Sequence, residues 1–157
     1  MGKFSIEIKW GIIFFVVALV WMYFEKMMGW HGDNIDQHAT YTLLFMPIAI
    51  LIYVLALREK KQSNGGLLSW KEGFKSGLII ALVVAVLSPV SQYIVHTVIS
   101  PDYFDNVIKY SVDNGLLTQE QAEMNFNLKS YMWQAVIGAI GAGAITSAIV
   151  SLVIRNR

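Results

Sequence analysis

The sequence predicts an all-α integral membrane protein, a four-helix bundle with a short helical hairpin on its outer face. Three observations predict it. The 157 residues are 55% hydrophobic and only 15% charged, with a mean hydropathy of +0.51, whereas a soluble domain carries about a quarter charged residues. Four apolar stretches each come close to the roughly 20 helical residues needed to cross about 30 Å of hydrocarbon. Basic residues collect in alternate connections between those stretches. The helical state follows from the solvent, because lipid cannot satisfy an exposed backbone N–H or C=O. The length allows one domain over residues 1–157. The alternative, four buried core helices of a soluble protein, would require polar faces that these segments lack.

The first span has the strict apolar core "WGIIFFVVALVWMYF", Trp10 to Phe24, and extends over 8–28 when Lys9 and Lys26 snorkel. A cleaved signal peptide is the rival reading. The bulky run "VWMYFEKMM" stands where a small-x-small cleavage site would be required, so the segment is expected to remain as a helix. The second span is "ATYTLLFMPIAILIYVLAL", 39–57. The third runs over 76–99, with its apolar run from Leu78 to Ile99, and the fourth over 131–154. Trp10, Tyr23, Trp30, Tyr41, Tyr131 and Trp133 fall near span ends, where amphipathic rings prefer the headgroup level.

Lys3 and Lys9 precede the first span. Arg58, Lys60, Lys61, Lys71 and Lys75 occupy the second connection, and Arg155 and Arg157 follow the fourth span. With four spans these regions share a side and hold nine of the twelve basic residues; Lys26, Lys109 and Lys129 face eight of the eleven acids on the other. The expected location is therefore the bacterial inner membrane, multi-pass, with both termini cytoplasmic.

The connection over 100–130 is the one sizeable extramembrane piece. Ser100 reads as an N-cap, Pro101 as a first helical residue and Asp102 as a charge that complements the helix dipole. Phe104, Val107, Ile108 and Val112 recur at helical spacing up to a stop at Asn114–Gly115. Thr118 and Gln121 form a capping-box pattern that opens a second helix, expected to run into the fourth span. The hairpin is expected to pack on the bundle; its apolar stripe could alternatively meet a partner or the headgroups.

No Asp, Glu, Lys or Arg lies in the middle of a span, so the polar candidates sit elsewhere. In "SPVSQYIVH" Pro89 lacks an N–H and its ring clashes with the Ala85 carbonyl, which predicts a kink. Ser88, Gln92 and His96 follow at intervals of four on one face. Glu25, His38, Gln92, His96 and Gln134 are all placed near the outer mouth, with His31, Asp33 and Asp36 of "GWHGDNIDQHATY" in the turn above. Histidine and carboxylate ligands suit zinc or another divalent metal. The favoured expectation is plainer: these residues hydrogen-bond to one another and close the bundle, since their spacing matches no known ligand motif and Asp and Asn are ordinary turn residues. Histidine ordinarily titrates near neutral pH, so a pH-sensing role is also compatible.

Small residues form two stripes: Gly73, Gly77, Ala81 and Ala85 towards the third span, and Ala135, Ala139, Gly143, Ser147 and Ser151 along the fourth. Such stripes let helix backbones approach closely where lipid supplies no hydrophobic drive. Packing within one chain is the expected use and a homodimer the alternative.

Several classes are excluded or unsupported. With no cysteine there is no disulfide, thiolate metal site or cysteine nucleophile. A net charge of +1 gives no nucleic-acid surface. No paired acids within the spans, HExxH or phosphate-binding glycine loop occurs, and Ser88, Ser91 and His96 do not form a Ser–His pattern by spacing, so no enzyme and no cofactor is expected.

"IEIKWGIIF", "ILIYVLALREKK", "LSWKEGFKSGLII", "LSPVSQYI" with "VISPDYFDNVIKY", and "LKSYMWQAVIGA" carry a resemblance through nearly the whole chain. The sequence resembles the bacterial four-span family known as domain of unknown function 4199, common in Bacteroidetes. Its most characteristic positions are those around Trp70, Gly73, Phe74 and Gly77 and around Pro101, Asp102 and Tyr103. The resemblance implies an inner-membrane protein and brings no catalytic residues. The expected function is thus a non-enzymatic structural, accessory or binding protein in contact with the lipid bilayer, with a membrane-protein partner or a second copy as associates. The alternatives are a small transporter or channel built by oligomerisation, or an outer-face divalent-metal or pH-sensing site.

Overall fold

The computed structural model describes residues 4–156. Lys3 and Arg157, two of the basic residues used above for orientation, lie outside the described residues. Among those described, the structure is helical and has no strand. Four runs, Ser5–Met27, Ile35–Ser63, Trp70–Ile99 and Leu128–Ile154, are long and apolar enough to cross a membrane.

Helix α1 is Ser5–Met27 and ends in a turn where Gly29 adopts φ 78°, a conformation that favours glycine. α2, Ile35–Tyr41, leads through a 3₁₀ turn at Thr42–Leu44 into α3, Phe45–Ser63. Pro47 explains that tightening: it has no N–H to offer the Leu43 carbonyl, and it sits in the first turn of α3, where a proline is tolerated. The second run therefore begins at Ile35, four residues before the expected Ala39. It continues past Leu57 into the charged sequence that ends at Ser63.

α4, Trp70–Ile94, opens on a capping box in which the Ser69 hydroxyl accepts from the Glu72 N–H and the Glu72 carboxylate accepts from the Ser69 N–H. The helix is continuous through Pro89. It leaves α geometry at Val95–Ile99, a π turn in which the Ser100 N–H donates to the Val95 carbonyl at 2.7 Å. α5 is Tyr103–Asp113 and α6 is Gln119–Asn125. The capping box of Thr118 and Gln121 is present. Two expectations are corrected here. Asp102, not Ser100, is the N-cap position of α5, because the Ser100 hydroxyl is drawn to His31 instead. α6 does not run into the last span: Asn127 is extended, and its side chain caps a new helix, α7 (Leu128–Ile154), by accepting from the Ser130 N–H at 2.9 Å.

The two small-residue stripes meet along an antiparallel seam between α4 and α7. Gly73 faces Ser151, Gly77 faces Ser147, and Gly143 faces Ala81. A Cβ on Gly143 would stand 2.5 Å from that of Ala81 and 2.7 Å from the Tyr53 hydroxyl, so the contact has no room for a larger residue. Ala85 is also buried, and Ala139 packs against a core of Tyr53, Ala56, Leu57, Leu68, Ile80, Val84 and Val150. Ala135 lies half-buried at the far end of its stripe. α1 closes on α4, where Gly11 lies under Val83. Outward-facing positions such as Val86 and Ile137 carry large exposed apolar side chains, which suits contact with lipid.

The start of α1, the end of α3 and the end of α7 gather at one end of the bundle, where Glu7 pairs with Lys60. Lys61 Nζ donates to the Ile154 carbonyl at 2.9 Å, and Asn156 exchanges two hydrogen bonds with the Leu68 backbone at 2.7 and 3.0 Å. The histidine turn and the α5–α6 hairpin lie at the other end, called the turn end below.

Candidate functional site

Glu25 is the hub of the turn end. It occupies the last turn of α1 and has no solvent exposure. One oxygen, Oε1, accepts from the Trp21 indole N–H at 2.6 Å, one helical turn earlier. The other, Oε2, meets His31 Nε2 at 3.1 Å and His38 Nε2 at 3.2 Å. Thr42 of the 3₁₀ turn lies beside the same carboxylate. A buried carboxylate is costly unless it is paired and hydrogen-bonded, and here each oxygen has partners.

Each histidine is held from behind. His31 Nδ1 lies 2.7 Å from the Ser100 hydroxyl, and the His31 carbonyl accepts from Asn106 Nδ2 at 2.9 Å. His38 Nδ1 lies 3.4 Å from the Tyr103 hydroxyl, which also lies 3.0 Å from that of Tyr131. Burial, then the neighbouring Tyr131 and Glu25, push the Tyr103 phenol well above its ordinary value, so it stays neutral. The hairpin thus reaches into the cluster through Tyr103 and Asn106. The short turn from Gly29, made possible by its positive φ, brings His31 back over Glu25.

His96 sits on the π turn next to this cluster but not in it. Its Nε2 pairs with Gln92 Oε1 at 3.1 Å, and its ring stacks on Phe104 with centroids 4.2 Å apart. Its Nδ1 is buried without a hydrogen-bond partner among the described residues. Of the predicted candidates, Glu25, His31 and His38 converge, while Gln92 and His96 pair with each other alongside. Asp33 and Asp36 are exposed and stay outside the cluster. Gln134 is also exposed and faces elsewhere. It lines a lateral cleft of about 750 Å³ between α3 and α7, together with Thr42, Ser88 and Thr146.

Sequence reasoning missed Trp21, Ser100, Tyr103 and Tyr131 as parts of the site. Only Trp21 had a local sign, its i,i+4 spacing to Glu25; the others arrive through tertiary contacts. A second buried acid was also missed. Glu7, 1% exposed at the termini end, pairs with Lys60 at 2.9 Å and accepts from the Ser76 hydroxyl at 2.7 Å.

A family model described as "Protein of unknown function (DUF4199)" matches residues 9–156. The chain belongs to the DUF4199 family. The match to DUF4199 takes in Glu25, His31, His38, Ser100 and Tyr103 and the full α4–α7 seam, whereas Glu7 precedes it. No curated protein and no solved structure matches the chain. The chemistry of the cluster therefore rests on its geometry in this member of the family: a carboxylate and two imidazoles that can share protons or hold a cation.

Proposed function

We propose that this DUF4199 protein is a multi-pass protein of the bacterial inner membrane with both termini in the cytoplasm. It serves as a non-enzymatic binding or accessory protein whose working part is the outer end of the bundle. The orientation is supported by the basic residues gathered beside the termini and the acids gathered at the turn end. One observation carries the functional reading: Glu25 is fully buried, yet both histidine Nε2 atoms converge on one of its oxygens. Burying this polar set carries a desolvation cost that an apolar filling of similar volume would avoid, and a binding task accounts for that cost.

The chain has no cysteine, which makes single-cysteine labelling a direct test. Asp33→Cys in the exposed turn should react with a membrane-impermeant maleimide in intact spheroplasts, and Asn64→Cys only after permeabilisation. The reverse pattern would put Glu25 at the cytoplasmic face and end this reading.

A second reading, a small transporter or channel completed by oligomerisation, draws on the lateral cleft. Thr42, Ser88, Gln134 and Thr146 place polar groups along a groove within the spans, where polar side chains usually find a function. Solute uptake by proteoliposomes that is lost in Gln134→Leu would favour it over the binding role.

A further inference from the structure

We propose that Glu25, His31 and His38 form a binding site for one divalent metal ion of the zinc class, a deepening that rests on the binding role argued above. Three ligand atoms, Glu25 Oε2 and the two Nε2 atoms, all lie within 4.8 Å of one another. Zinc–ligand bonds of about 2.0–2.2 Å in tetrahedral geometry put neighbouring ligand atoms roughly 3.3–3.6 Å apart. The two carboxylate–imidazole separations are 3.1 and 3.2 Å, and the two imidazole nitrogens lie within 4.8 Å of each other, so an ion would draw the rings together.

The supporting contacts are what distinguish this set from a chance cluster. Metal-ligating histidines hold their second nitrogen in a hydrogen bond that fixes ring and tautomer, and ligating carboxylates are themselves hydrogen-bonded. All three ligands have such a partner here: Trp21 Nε1–H on Glu25 Oε1, the Ser100 hydroxyl on His31 Nδ1, and the Tyr103 hydroxyl on His38 Nδ1. The partners are chemically suited to loading. Without metal, an Nε2–H of each ring can donate to Glu25 while its Nδ1 accepts from a hydroxyl. With metal, Nε2 becomes a ligand, the proton moves to Nδ1, and the same hydroxyl accepts. A hydroxyl serves in either direction, whereas a backbone carbonyl would permit only the second.

The donor set selects the ion. Two imidazoles and one carboxylate suit zinc and its neighbours among the transition metals, whereas magnesium and calcium require mostly oxygen ligands. Three protein ligands leave a fourth position for water or an outside ligand. A surface depression of about 310 Å³, lined by Lys26, Asp33 and Asp102, borders the set at His31, Ser100 and Tyr103.

The test uses the full chain in detergent, stripped with a chelator and titrated with zinc chloride by calorimetry, with thermal unfolding in parallel. One zinc should bind per chain and raise the melting temperature, while magnesium should do neither. His38→Ala should abolish binding. Ser100→Ala, which leaves all three ligands in place, should weaken it about 10- to 100-fold. Asp36→Asn, at an exposed carboxylate outside the set, should bind as the parent does. No zinc-dependent heat or melting shift in the folded parent would overturn the proposal, and so would parental affinity in folded His38→Ala or Ser100→Ala. That failure would leave the orientation intact, since the maleimide pattern does not depend on zinc; a reversed maleimide pattern would remove the outer-face binding role whatever the titration shows.

Discussion

Gly77 on α4 lies so close to Ser147 on α7 that a Cβ on the glycine would collide with the serine side chain. Nothing lies within 4 Å of a Cβ built on Gly138 or Gly141 of α7. The seam is thus selective about where small residues are required. Gly77→Val and Gly143→Leu should each lower stability by about 1–3 kcal/mol through overpacking. Gly138→Ala should be neutral or gain up to about 1 kcal/mol from helix propensity. Unfolding in graded denaturant from the same detergent would check the contrast; equal losses at all three sites would refute the seam.

At the termini end, Lys60 neutralises a buried partner. Among the described residues, removing the lysine leaves Glu7 buried with only Ser76 as side-chain partner, its second oxygen having none. Such losses cost about 3–5 kcal/mol for fully buried pairs. Lys60 keeps 21% side-chain exposure, so solvent screening reduces the expected cost of Lys60→Met to about 2 kcal/mol. Adding Glu7→Gln should recover most of it. A double-mutant cycle showing simple additivity would mean that the pair is not coupled.

The capping box at Ser69 gives a smaller and more local effect. Ser69→Ala deletes the acceptor for the Glu72 N–H at 3.2 Å and should cost about 1 kcal/mol. Ser69→Asp should retain stability, because aspartate caps comparably. Equal unfolding of all three proteins would show that the start of α4 is held by packing instead.

Tyr103 supplies a pH test. Its phenol is raised above the ordinary value of 10.0, mainly by burial. Above about pH 10 the unfolded chain therefore loses this proton while the folded chain retains it, so stability present below that pH falls as pH rises. Tyr103→Phe should be less stable than the parent at neutral pH and should show a shallower decline above about pH 10. Parallel pH profiles for the two proteins would show that Tyr103 is not buried as described.

The four apolar helices were legible because lipid imposes one rule, a long uncharged helical run, that leaves its mark in consecutive residues. The α4–α7 seam could be read as two stripes, since small residues at every fourth position share a helix face. Element ends were less legible. Pro47 tightens the chain before α3, and the Asn127 side chain starts α7 afresh, both through side-chain effects that hydropathy does not register. Half of the turn-end cluster was visible because Glu25, His31 and His38 are near in sequence. Ser100 and Tyr103 were not, since their approach depends on the π turn and on where the hairpin folds back. Asp33 and Asp36 looked equivalent to the histidines in composition, but Asp33 in the turn and Asp36 in the first turn of α2 are both exposed to solvent.

The central claim is that Glu25 ties the histidine turn, the start of the second span and the hairpin into one unit. Hydrogen–deuterium exchange of the protein in nanodiscs, read on peptides covering 28–34 and 100–113, tests this most directly. The account predicts slow exchange across the α5 backbone in the parent, and faster exchange in both segments together in Glu25→Gln. Exchange of 103–113 at the rate of an unstructured peptide, or rates in Glu25→Gln that match the parent in either segment, would contradict it.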